Sequence, residues 1–275
     1  MVSKWAPRAH LALTLGPNMN WFRTSGFALF ALATIAARGE PLMTDVFEAK
    51  AFEVDRRGVL LYRLALPKLD EVSERLPLVV FLHGAGQRGN DNLSQLEHGA
   101  EEIYRFTLET DNPAVILAAQ VPIEEQWVNT PWGDDSHIQP VEPSRTMGLL
   151  MDLIQSILEA YPIDVSRIYV TGLSMGGFGT WDIIARMPDT FAAAIPICGG
   201  GDPATAPNIA RLPIWVFHGS EDPVVQPRRS RDMVAALRAS GGDPVYTEYI
   251  GVDHDAWTKT YSDNTVLSWL FSQRK

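Results

Sequence analysis

A single serine stands between glycines in "RIYVTGLSMGGFGTWD" (167–182), directly after an apolar run. A serine hydroxyl is a poor nucleophile until a neighbouring base takes its proton. The pattern Gly172-Leu173-Ser174-Met175-Gly176 suits a sharp strand-to-helix turn that exposes such a hydroxyl, with small residues where the two backbones come close. Glycine and serine are common, so the pattern alone is weak; the strand before it and the helix after it make it specific.

On this plan the acid and then the histidine follow later in the chain, each just past a strand. "WVFHGSEDPVV" supplies Asp222, 48 positions after Ser174, and "YTEYIGVDHDAW" supplies His254, 32 positions further on. His254 is expected to take the Ser174 proton on one ring nitrogen and to donate from the other to Asp222, which fixes the tautomer and stabilises the imidazolium. Taken singly, an aspartate before proline is usually a turn former and a histidine between aspartates a solvated loop residue. Glu221, Asp253 and Asp255 are rival acids. Asp222 is preferred because Pro223-Val224-Val225 restarts the chain toward a helix. His218 is a rival base, but its place in a strand end beside Gly219 suggests packing.

A tetrahedral intermediate needs two donors for its oxygen. The Met175 N–H is one, supplied by the turn itself. The other is expected from "FLHGAGQRGNDN", where Gly84 lets the backbone approach and the Ala85 N–H can point inward, with His83 pinning the loop. A phosphate cradle is the alternative use of such glycines, but the lysine and spacing of a P-loop are missing.

The elements that must hold these residues read as an α/β chain. "AKAFEVD" and "GVLLYRLALP" form an initial antiparallel pair, turning at Arg57-Gly58. Continuous apolar runs at 76–84 and 114–122, then "RIYVTGLS", "FAAAIPICG", "LPIWVFHGS" and "PVYTEYIG", suit strands of a mainly parallel sheet buried on both faces. Helical spacing marks Thr146 to Tyr161, Met175 to Met187, Pro227 to Ser240 and Ser262 to Phe271. Residues 123–146 carry no such pattern; their length, with Trp127 and Trp132, predicts an ordered functional loop.

The 275 residues suit one generous α/β domain. A net charge of −10 argues against nucleic acid or an anionic membrane surface as the main partner. The lone Cys198 excludes an internal disulfide and any multi-cysteine metal site, and its surroundings suggest a buried strand end. Residues 1–43 are set apart from the domain at 44–275. "SGFALFALATIAA" (25–37) is uncharged, follows Arg23, and is too short for a bilayer span but fits the h-region of an export signal. Met19 opens a compact version of that signal. The alternative is a loosely docked N-terminal helix of a cytosolic protein.

Four stretches, "FLHGAGQRGNDN", "RIYVTGLSMGGFGTWDIIARMPDTFAAAIPICGGGDP", "VFHGSEDPVV" and "GVDHDAWTKTY", resemble the α/β-hydrolase superfamily. More narrowly, they resemble single-domain prolyl-oligopeptidase-like hydrolases, which are similar to dienelactone hydrolases, feruloyl esterases and polyhydroxyalkanoate depolymerases. The resemblance runs from about residue 45 to the C-terminus. It implies ester hydrolysis through an acyl-enzyme on Ser174, with Asp222 and His254, and no metal or organic cofactor. The length leaves no room for the substrate-sizing domain of the peptidases, and Gly199 to Arg211 is too short for a lipase-like cap. Ala85 stands where the polymer depolymerases generally carry cysteine. These departures favour a small or flexible ester, short-chain acyl, acetyl or feruloyl, free or linked to polysaccharide. Trp127, Trp132 and Trp257 are candidate substrate-binding walls, each also able to serve as packing, and Trp181 is a core residue. Acyl transfer or peptide hydrolysis would use the same triad. A non-catalytic binding module normally loses one of these residues, and all are present here.

Overall fold

The computed structural model describes residues 43–67 and 74–275. The candidate signal within residues 1–43 therefore lies almost wholly outside the described residues. Eight strands form one sheet in the order β1-β2-β4-β3-β5-β6-β7-β8. They are β1 Phe47–Val54, β2 Gly58–Ala65, β3 Leu76–Leu82, β4 Val115–Gln120, β5 Ile163–Leu173, β6 Ala193–Ile197, β7 Trp215–Gly219 and β8 Val245–Tyr249. The first two pair antiparallel across the expected turn, β2 runs antiparallel to β4, and β3 to β8 are parallel. This is the α/β-hydrolase architecture.

Every residue of β3 and β4 is buried, as their unbroken apolar runs require of strands covered on both faces. Alternate side chains feed two cores. Leu78, Val80 and Leu82 of β3 pack on one face, where α3 (Arg145–Ala160), α4 (Met175–Arg186) and α6 (Arg228–Ala239) lie; Val79 and Phe81 point to the other, covered by α2 (Ala100–Glu109) and α8 (Asn264–Ser272). The short helices α1 (Met43–Val46), α5 (Ala206–Ile209) and α7 (Trp257–Tyr261) are the other α-helices among the described residues. Between β6 and β7 only one 3₁₀ turn and α5 intervene, so no cap domain is inserted there. Among the described residues no helix is long and apolar enough to cross a membrane.

The helix α2 is absent from the sequence expectation. Its apolar stripe is short, Ala100, Ile103 and Phe106, among acidic neighbours, and no side chain caps its start. Tertiary contact supplies what local signals lack. Gly99 caps the helix at φ 135°, and a Cβ there would meet the Phe81 ring at 2.6 Å and the Tyr261 ring at 2.7 Å. Gly99→Ala is therefore expected to cost about 2–4 kcal/mol through backbone strain and overlap. Thermal unfolding should show a midpoint lower by roughly 5–15 °C.

Candidate active site

The end of β5 turns into α4 at Ser174, whose backbone stands at φ 53°, ψ −116°. Such a conformation is costly for a residue with a side chain and persists only where its surroundings enforce it. Here the Ser174 N–H donates to the Ile197 carbonyl at the end of β6 (2.9 Å), and α4 is pressed against the end of β3. A Cβ on residue 176 would lie 1.9 Å from the Leu82 carbonyl oxygen, and one on residue 172 would lie 2.4 Å from the Gly176 oxygen. Only glycine fits at either place.

That contact also sets the loop after β3. Because α4 abuts Leu82 and His83, the next residues, Gly84 and Ala85, lie beside the turn. His83 is fully buried; its Nδ1–H donates to the Gly84 carbonyl (2.6 Å) and its Nε2 accepts from the Val121 N–H (3.0 Å). Burial pushes its imidazole down to about 4, so it stays neutral. Further along, the Asp91 carboxylate accepts from the Leu93 and Ser94 N–H groups and from Gln120 Nε2 (2.7 Å), which ties the loop to the end of β4. Among the described residues neither the Ala85 nor the Met175 N–H has a hydrogen-bond partner.

Three strand ends bring Ser174, His254 and Asp222 together. His254 Nε2 lies 2.8 Å from Ser174 Oγ, and its Nδ1–H donates to Asp222 Oδ2 at 2.6 Å. The other carboxylate oxygen accepts from the Val224 and Val225 N–H groups (2.8 and 2.9 Å). Burial alone would raise the Asp222 carboxyl. Hydrogen bonds from His218, His254 and the Val225 N–H outweigh it and hold the group well below the usual carboxylate range. The rivals sit elsewhere: Glu221, Asp253 and Asp255 are exposed, and Asp255 caps α7 through Thr258.

His218, expected only to pack, is fully buried with Nε2 3.2 Å from Asp222 Oδ2. Cys198, His218 and Asp222 bring their ligand-type atoms within 4.8 Å of one another. Burial pushes the Cys198 thiol up to about 12 and it donates to the His254 carbonyl (3.2 Å).

The tryptophans divide. Trp127, expected as a pocket wall, is instead fully buried, with its Nε1–H donating to the His83 carbonyl (3.1 Å). The reason is depth: its ring packs against Gly179 of α4, beneath the loop rather than on it. Trp132 is half-buried and lines an open cavity of about 500 Å³ with Gln126, Asn129, Thr130 and Pro131, none of them from the Ser174 site. Trp257 is half-buried and meets the His254 ring edge-on, centroids 5.2 Å apart. Trp181 is a core residue, as expected. The long loop is anchored by residues outside it. Gln139 Nε2 donates to Asp182 on α4 (2.8 Å), Arg186 to the Pro140 carbonyl (2.7 Å), and the buried Arg229 of α6 to the Asp134 carbonyl (2.6 Å) and to His137.

Residues 71–264 match the family model of phospholipases and carboxylesterases. The chain belongs to that family. A thermostable esterase of known crystal structure is 41% identical, with a TM-score of 0.77 over 84% of this chain and 64% of its own. Feruloyl esterase B of Thermothelomyces thermophilus is 23% identical over 90% of this chain and 91% of its own length. An uncharacterized secreted protein of Arthroderma benhamiae is 27% identical over 72% of this chain. The chain spans 24%, 30% and 45% of the first three curated relatives it matches.

The neutral burial of His83 makes stability depend on pH. The unfolded chain takes up a proton near pH 6.5 that the folded protein refuses until about 4, so the contribution is present at neutral pH and lost as the pH falls through that interval. The loss amounts to about 3 kcal/mol by pH 4. Urea unfolding across this range should show His83→Gln, which takes up no proton, losing less stability than the wild type by about that amount.

Proposed function

We propose that this chain is a serine esterase that cleaves small carboxylic esters through an acyl-enzyme on Ser174. The observation that carries the proposal is the unbroken hydrogen-bonded chain from Ser174 Oγ through His254 to the buried Asp222 carboxylate. Ser174 Oγ attacks the acyl carbon as His254 Nε2 takes its proton, and the carbonyl oxygen becomes an oxyanion. The unpartnered N–H groups of Met175 and Ala85 receive that oxygen; each such donor is worth about 3 kcal/mol of barrier. Asp222 stays ionised and stabilises the imidazolium. On collapse the C–O bond to the alcohol breaks, and His254 returns its proton to the leaving oxygen. Water then attacks the acyl-enzyme by the same route, releasing the acid and restoring Ser174.

The substrate class in this reading is a short-chain acyl, acetyl or feruloyl-type ester, free or carried on polysaccharide. The absence of an inserted cap between β6 and β7 leaves that edge of the site open, and a feruloyl esterase is among the relatives. In this reading Trp257 meets bound substrate, which its edge-on contact with the His254 ring supports. We also propose that residues 44–275 form the catalytic domain and 1–43 an export leader. The uncharged stretch 25–37 after Arg23 supports export, as does the secreted relative.

Purified wild type is expected to hydrolyse nitrophenyl esters with a preference for short acyl chains. Ser174→Ala should lower kcat by roughly three orders of magnitude or more at an unchanged melting temperature. Full activity in that variant, or an inert wild type, would remove the proposal. The N-terminal sequence of the exported protein tests the leader.

A further inference from the structure

His218 is the penultimate residue of β7, four residues before Asp222, and the turn between them folds the chain back so that the two side chains meet in the interior. The imidazole is fully buried. Its Nδ1 lies 2.7 Å from the Ser230 hydroxyl of α6. Its Nε2 faces two acceptors, the Val225 carbonyl at 2.8 Å and Asp222 Oδ2 at 3.2 Å. A bare ring nitrogen against two oxygen lone pairs would be repelled by both, so Nε2 carries a proton and donates. Asp222 Oδ2 thus faces two imidazoles: His254, which donates to it at 2.6 Å, and His218, 3.2 Å away with its N–H directed at the Val225 carbonyl.

Packing alone does not account for this arrangement. A leucine or phenylalanine would fill an interior strand end without polar atoms that must all be satisfied. What the second imidazole adds is a polarised N–H beside the very oxygen that His254 uses. It opposes rotation of the carboxylate away from His254 and draws charge from Oδ2, which moderates the pull of Asp222 on the His254 N–H. We propose that His218 is a positioning residue that fixes Asp222 and sets the basicity of His254. The inference rests on the Ser174–His254–Asp222 reading above.

Other groups face this pair. The Cys198 thiol reaches in from the end of β6 and is held protonated. Glu248 of β8 is ion-paired with Arg231 of α6. Arg229 of α6 is turned to His137 and the Asp134 carbonyl. Glu221, Asp253 and Asp255 lie exposed in the two loops. Of these only the Cys198 thiol also reaches Asp222, and its hydrogen is directed to the His254 carbonyl.

The test compares His218→Leu, which deletes the donor, with His218→Gln, which keeps an N–H near the Nε2 position. Ser230→Ala leaves the imidazole in place but frees its far side. Active sites are counted with a fluorophosphonate probe at Ser174, and kcat and KM for nitrophenyl acetate are followed across pH. Per titrated site, His218→Leu is expected to lose about 10- to 100-fold in kcat with KM changed by about twofold or less. With Asp222 pulling harder on His254, the acid limb of its kcat/KM profile should move up by roughly half a unit or more. His218→Gln should stay within about threefold of wild type with its acid limb in place. Ser230→Ala should show a smaller upward movement, and it decides the matter if the leucine variant does not fold. Wild-type kcat and pH profiles in every folded variant would overturn the role of His218 while leaving the esterase reading intact. A wild type that neither labels at Ser174 nor turns over would overturn both.

Discussion

The carbonyl oxygen of Leu82 occupies space that a side chain on residue 176 would need, and the site depends on that contact. It lets the first turn of α4 lie directly on the end of β3, backbone against backbone. Ser174 is then forced into its positive-φ corner, held by a hydrogen bond to the end of β6. The same contact brings Gly84 against Leu173, at the start of the turn. The proposed nucleophile and the loop proposed to carry an oxyanion donor are therefore held by one packing relation between two elements distant in sequence. The strain at Ser174 is sustained because the large buried sheet fixes both ends of the turn.

Around this rigid centre the electrostatics are arranged by burial. Three imidazoles lie close to the reacting groups, and their surroundings give them different work. His83 is dry, held neutral, and braces the loop through Gly84 and Val121. His218 is dry as well, but engages a carboxylate. His254 is half-exposed and alone reaches Ser174. Asp222 remains ionised in the interior because three donors, two from backbone and one from His254, with the His218 N–H close by, offset its loss of water.

The central strands and the corner serine were legible because their signals are local: unbroken apolar runs, flanking glycines, and loops that begin where strands end. Ser174, Asp222 and His254 could be ordered along the chain because a parallel sheet gathers strand ends at one rim. The helix α2 was not legible, since its start is set by the space between Phe81 and Tyr261 rather than by a cap. Trp127 was misplaced because composition does not tell an indole facing a pocket from one driven into the core; the space for it is made by Gly179, far off in sequence. The meeting of His218 with Asp222 was hidden for a related reason, as it depends on how "HGSED" reverses direction.

The segment 123–144 has no regular structure, yet it is fastened at many points by Arg186, Asp182, Asp202 and Arg229 of the surrounding framework. Its fastenings are largely separate from the groups that hold Ser174, His254 and Asp222; the shared one is Trp127, which supports the His83 carbonyl. The outer part of the segment, from about Asn129 to Val141, can therefore vary among descendants of this gene without disturbing the hydrogen bonds that join Ser174, His254 and Asp222. Diversification and preservation would then act on different stretches of the same chain.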